Sequence, residues 1–112
     1  MKPTLFADVN NNMHIAREEI FGAVVVMIPY KDEADAIRIS NDSHYGLAGS
    51  VLTENRGHGL EIARQIRTGR MSINDNFGNF DCPFGGYKQS GIGREFGSFG
   101  ICEYVEQKAI FV

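Results

Sequence analysis

A pair of adjacent carboxylates followed by an aromatic ring and a glycine is a compact set of binding groups. The chain carries one at Arg17-Glu18-Glu19-Ile20-Phe21-Gly22. One carboxylate can accept hydrogen bonds from two vicinal hydroxyls, which is what a ribose presents. The Phe21 ring can pack on a flat heterocycle. On the residues alone, charges at a helix N-terminus are the commoner reading of the same pair. A second candidate region spans 76–104, where Phe77, Phe80, Phe84, Tyr87, Phe96, Phe99 and Tyr104 alternate with seven glycines. Glycine at that density marks tight turns or close backbone approach. Aromatic rings among such turns either cover the core or line a pocket.

Other chemistries find no support. Gly91-Ile92-Gly93-Arg94-Glu95-Phe96-Gly97 has a superficial likeness to a dinucleotide fingerprint, but position 96 is phenylalanine and the segment follows a loop. Cys82 and Cys102 are too few for a disulfide scaffold and have no metal-knuckle spacing. His14, His44 and His58 stand apart, so no metal site is expected. The net charge of −3 argues against nucleic acid. Arg56, Arg64, Arg67 and Arg70 alternate with Glu54 and Glu61 and read as the solvated face of one helix. No apolar run approaches the about 20 residues of a membrane span. With no secretory leader read at the N-terminus, a cytoplasmic location is expected.

The elements that position these groups follow from hydrophobic patterning. In 112 residues that are 43% hydrophobic and 22% charged, a globular core is permitted. Ala23–Tyr30 is a continuous, valine-rich run that suits a strand buried on both faces. Lys31–Asn41 reads as an amphipathic helix capped by Asp32. Leu47–Thr53 is a second strand, His58–Thr68 a second helix ending at Gly69, and Met71–Asn74 a third strand. Thr4–Val9 reads as an added edge strand and Met13–Glu18 as a short helical turn. The order predicts an α/β fold: a small parallel β-α-β-α-β sheet with helices, followed by the glycine- and aromatic-rich loop and a C-terminal strand.

Residues 3–112 resemble the C-terminal part of the catalytic domain of the aldehyde dehydrogenase superfamily. The resemblance rests on Pro3-Thr4 with Asp8-Val9, Ile15 through Gly22, Ala36-Ile37 through Asn41-Asp42, Tyr45-Gly46-Leu47-Ala48, Gly69 through Asn74, and Pro83 through Gly91 with Gly93-Arg94-Glu95. Glu-Glu-Ile-Phe-Gly and Pro-Phe-Gly-Gly-Tyr-Lys-x-Ser-Gly together, in this order and separation, are highly specific. The resemblance implies NAD(P)-dependent oxidation of aldehydes to carboxylic acids. It implies that Glu19 holds the nicotinamide ribose and that Phe21 packs near the nicotinamide. It places Phe84, with Phe77 and Phe80, along the substrate channel, and makes 104–112 the start of a strand that joins subunits.

Ala23 stands where the family usually has proline. The family's cofactor domain, nucleophilic cysteine, glutamate base and oxyanion-polarising asparagine precede the resembling segment, so no catalytic residue is assigned within residues 1–112, which read as a single partial domain. Cys82 is expected to be a small loop residue and Cys102 a packing residue. The isolated chain is expected to be inactive, to bind neither NAD nor NADP, and to associate with itself or with the missing N-terminal part. A non-catalytic assembly module, or one partner of a split enzyme, is the alternative.

Overall fold

The computed structural model describes residues 2–74 and 78–112. Phe77, one of the expected channel residues, lies outside the described residues. The chain divides into two units, Met1–His44 and Tyr45–Val112.

The first unit is built on a parallel pair. β1 (Thr4–Phe6) runs beside β2 (Val24–Val26), with Leu5 opposite Val25. β-branched valine favours the extended conformation, and the expected edge strand therefore has its partner. Between them α1 (His14–Arg17) makes a single turn. After β2, α2 (Glu33–Asn41) begins where expected: the Asp32 carboxylate accepts from the Asp35 amide at 2.8 Å. The Asp35 carboxylate in turn accepts from the amide of Lys31, the residue before the cap, at 3.1 Å. β2 departs from the expected doubly buried strand, because Val25 remains 63% exposed. A strand in a two-stranded pair has a single hydrogen-bonded neighbour, and the described residues leave Val25 largely uncovered.

The second unit holds a second parallel pair, β4 (Ala48–Val51) with β5 (Arg70–Ile73), joined by α3 (Arg56–Gln65). This is the expected strand–helix–strand crossover. The Asn55 side chain caps α3 by accepting from the His58 amide at 3.1 Å. Only Arg56 and Arg64 of the four arginines lie on this helix, because it ends at Gln65; Arg70 opens β5 instead. An antiparallel pair, β3 (Tyr45–Gly46) with β6 (Tyr87–Lys88), and a short α4 (Gly97–Cys102) complete the unit.

The α/β character and small parallel sheets thus agree with expectation, but the described strands form three two-stranded pairs. Residues 103–112 form no strand, in contrast to the expected C-terminal one. A strand exists only against a hydrogen-bonding neighbour, and no described segment of the chain pairs with it. Among the described residues no helix is long and apolar enough to cross a membrane.

Gly69 is required for a reason other than the expected helix end. A Cβ there would run into the carbonyl oxygen of Gly85. Gly46 faces a similar constraint, with the Arg67 carbonyl 2.6 Å from where its Cβ would stand. Gly69 lets the start of β5 meet the aromatic loop backbone to backbone, and Gly46 lets β3 meet the α3–β5 connection.

Candidate functional site

In the first unit, Glu19 and Phe21 sit on the link between α1 and β2. The link is tied at both ends: the Glu18 amide donates to the His14 carbonyl at 3.0 Å, and the Val24 amide donates to the Gly22 carbonyl at 2.8 Å. Between these ties the Glu19 side chain is exposed and Phe21 is 96% exposed. An unburied phenylalanine gains nothing from its own unit, so its ring is available to another surface. The link thus presents an exposed carboxylate and a bare ring two residues apart.

The link's footing is an ion-pair network. Arg17 closes α1 and donates to the Asp42 carboxylate at 2.9 Å and to the Asp42 carbonyl at 2.7 Å. Its Nε also donates to the Asn11 carbonyl. Asn11 Nδ2 donates to the Ile39 carbonyl at 3.0 Å and to Asp42. The cation therefore meets the carbonyl end of α2, where a positive charge is favoured. The Arg17 hydrogen bond, with that of Asn11, holds the Asp42 carboxyl below its ordinary value.

In the second unit, Phe80, Phe84 and Phe96 converge. The Phe80 and Phe96 rings meet edge to face, centroids 5.2 Å apart, and Phe84 lies 6.0 Å from Phe96. The Arg70 guanidinium stands 5.5 Å from the Phe84 ring centre. These rings, with Met71, Cys82 and Pro83, line a hollow of about 490 Å³. Reciprocal hydrogen bonds between Phe84 and Glu95, 2.8 and 2.7 Å, fold the loop back on itself. Ser90 Oγ accepts from the Gly46 amide at 3.0 Å, and Arg94 donates to the Gly86 carbonyl at 3.0 Å. The Pro83–Gly91 motif is therefore a self-bonded turn seated on β3.

Phe80 and Phe84, two of the residues singled out in the sequence, both line this hollow. Phe96 was not expected at the hollow. Its backbone is left-handed, with φ 65°, which is strained for a bulky side chain. Its place among seven glycines was the only sequence signal. The Gly91–Gly97 stretch leads from a two-residue antiparallel strand into six-residue α4, which is not a cofactor-binding crossover. Cys102 is exposed, in contrast to the expected packing role, and its thiol faces the Ser98 carbonyl at 3.5 Å. Cys82 is exposed as well. The described lining of its hollow holds no histidine or carboxylate that could act as its base. No cluster of metal-ligating side chains occurs among the described residues.

Comparison with known proteins places this geometry. The model of the aldehyde dehydrogenase family matches residues 1–110. A 3-succinoylsemialdehyde-pyridine dehydrogenase of a Pseudomonas species is 50% identical over 109 residues, covering 97% of this chain and 23% of that protein. A solved Mycobacterium tuberculosis aldehyde dehydrogenase complexed with NAD+ superposes with a TM-score of 0.92 at 57% identity, over 95% of this chain and 22% of the other. A mutant of aldehyde dehydrogenase C from Pseudomonas syringae, complexed with NAD+ and octanal, gives 0.93 at 45% identity, over 96% and 22%. The chain spans under a quarter of the length of these relatives.

Proposed function

The chain belongs to the aldehyde dehydrogenase family, and from that membership we propose that it is the C-terminal portion of the catalytic domain of an NAD-dependent aldehyde dehydrogenase. The observation that carries the proposal is the 57% identity and 0.92 TM-score to a relative solved with NAD+, sustained over 95% of the chain. Such an enzyme oxidises an aldehyde to a carboxylic acid. Its nucleophilic cysteine, glutamate base and cofactor domain belong to polypeptide beyond these 112 residues. In this reading Cys82 is a small loop residue rather than that nucleophile.

Within this reading each candidate residue has a task. The Glu19 carboxylate accepts hydrogen bonds from the ribose hydroxyls, and the Phe21 ring packs beside the nicotinamide. The nicotinamide, when bound, accepts hydride. Phe80 and Phe84 flank the path by which an aldehyde enters. Their hollow, aromatic in part and carrying Arg70 and Asn79 in its lining, suits an aldehyde with an apolar body and a polar end.

The test is kinetic and uses the assembly that contains this chain together with the cofactor domain, whether continuous with it or separate. A hydrogen bond to a charged group contributes about 1.5–3 kcal/mol, so Glu19→Ala raises the KM for NAD about ten- to a hundredfold. The KM for the aldehyde changes little. Turnover of an aldehyde by the 112-residue chain alone, abolished by Cys82→Ala, contradicts the proposal.

A second reading, an assembly element, draws on residues 103–112. They have no strand partner in the described chain, and Ile110, Phe111 and Val112 are exposed. An apolar segment with open backbone groups invites strand addition. The two readings are compatible within one oligomeric enzyme.

A further inference from the structure

We propose that Arg17 is a positioning residue that sets where Glu19 and Phe21 stand. The proposal rests on reading the α1–β2 link as the ribose contact. Three acceptors converge on one guanidinium: the Asn11 carbonyl, the Asp42 carbonyl at 2.7 Å and the Asp42 carboxylate at 2.9 Å. They come from the turn before α1 and from the residue that ends α2. Arg17 itself is the last residue of α1, two positions before Glu19. The planar fork of arginine is suited to holding several acceptors in fixed directions, and a lysine ammonium is not.

Besides Arg17, backbone hydrogen bonds hold the link: Glu18 to the His14 carbonyl at 3.0 Å, Gly22 to the Ile20 carbonyl at 2.9 Å, and Thr4 of β1 to the Ala23 carbonyl at 2.9 Å. α1 is one turn long, too short to be stable on its own. Its residues include no fully buried side chain. No described residue holds the Glu19 carboxylate, and Phe21 is exposed. The direction in which Glu19 and Phe21 leave α1 therefore depends on the orientation of that single turn at one end of the link, the other end being held by the β1–β2 pair. Arg17 fixes the turn against the end of α2, at residues 39–42. Asn11 supports the same point from the other side through Ile39 and Asp42. Arg17 touches neither reacting atoms nor cofactor in this scheme; it acts through Glu19 and Phe21.

The experiment measures steady-state kinetics of the assembled enzyme with NAD and aldehyde varied separately. Misplacing a contact group by about 1 Å is enough for large losses, so Arg17→Ala raises the KM for NAD about tenfold and leaves the KM for aldehyde within about twofold. Arg17→Lys recovers only part of the loss. Asp42→Ala adds little to Arg17→Ala in the double variant, because both act through one junction. Amide hydrogen exchange on the same variants shows faster exchange at Glu18 and Gly22 with Met71–Asn74 unchanged. An unchanged KM for NAD in Arg17→Ala overturns the proposal alone. A parallel fall of all kinetic parameters with exchange raised throughout also overturns it, since that marks general unfolding. Absence of NAD-linked oxidation in the unsubstituted assembly overturns the ribose reading and this proposal together.

Discussion

Gly69 shows how closely single residues constrain this chain. Its Cα lies against the Gly85 backbone, where the added methyl of alanine collides with a carbonyl oxygen. Backbone cannot turn aside as a flexible side chain does. Gly69→Ala should therefore cost about 1–3 kcal/mol, seen as a lowered urea midpoint, with the loss confined to the Tyr45–Val112 unit. No destabilisation would mean that the loop does not seat on β5 as described. The identity of this glycine was plain in the sequence; its reason was not. A glycine after a helical pattern looks like a helix end, but the helix stops at Gln65 and the constraint comes from residues sixteen positions later. Local patterning carries no information about such long-range contacts. Phe96 was similarly obscured, since one ring among seven in a glycine-rich stretch has no mark that sets it at the hollow.

The elements were more readable where their physics is local. Asp32 before a charged, amphipathic run identifies its helix start from the chemistry of unpaired amides alone, and the structure places Asp32 there. β1, β4, α3 and β5 likewise follow from apolar runs and spacing. The pairing of strands into separate two-stranded sheets did not, because a β-branched run cannot name its neighbours. The α1–α2 junction carries a pH dependence. Asp42 is held below the ordinary 3.8 by hydrogen bonds from Arg17 and Asn11, and Asp35 is lowered by Arg38 and the Lys31 amide. A carboxyl depressed in the folded state contributes stability above its unfolded value and loses it as pH falls through the folded one. Asp42 is exposed and Asp35, though half-buried, pairs with the exposed Arg38, so the contribution is small and screened by salt. The expected result is a loosening of residues 11–18 and 31–42 as pH falls below about 3.8, reduced in Asp42→Asn. Exchange at these amides that is insensitive to pH, after correction for intrinsic rates, would remove the network from the account of the junction.

The molecule as a whole is short of interior. Two separately folded compact units of 44 and 68 residues would expose about 7,400 Å² together. The chain exposes 9129 Å², and among the described residues only Val9 is a buried hydrophobic. Phe21, Ile92, Tyr104 and Phe111 are nearly bare. Such a surface needs covering, in keeping with a chain that spans under a quarter of its relatives. The chain purified alone should associate with itself, and Phe111→Asp with Ile110→Asp should shift it toward monomer in sedimentation velocity. A monodisperse monomer before substitution would count against open apolar faces. The most direct measurement is native mass spectrometry of the material bearing this sequence, isolated gently from its own source, with NAD-linked aldehyde oxidation assayed on the same sample. The prediction is that residues 1–112 occur joined to, or in complex with, a polypeptide carrying a cofactor domain and a nucleophilic cysteine, and that this species reduces NAD with an aldehyde. A homo-oligomer of the 112-residue chain with no such companion and no NAD-linked activity would contradict it.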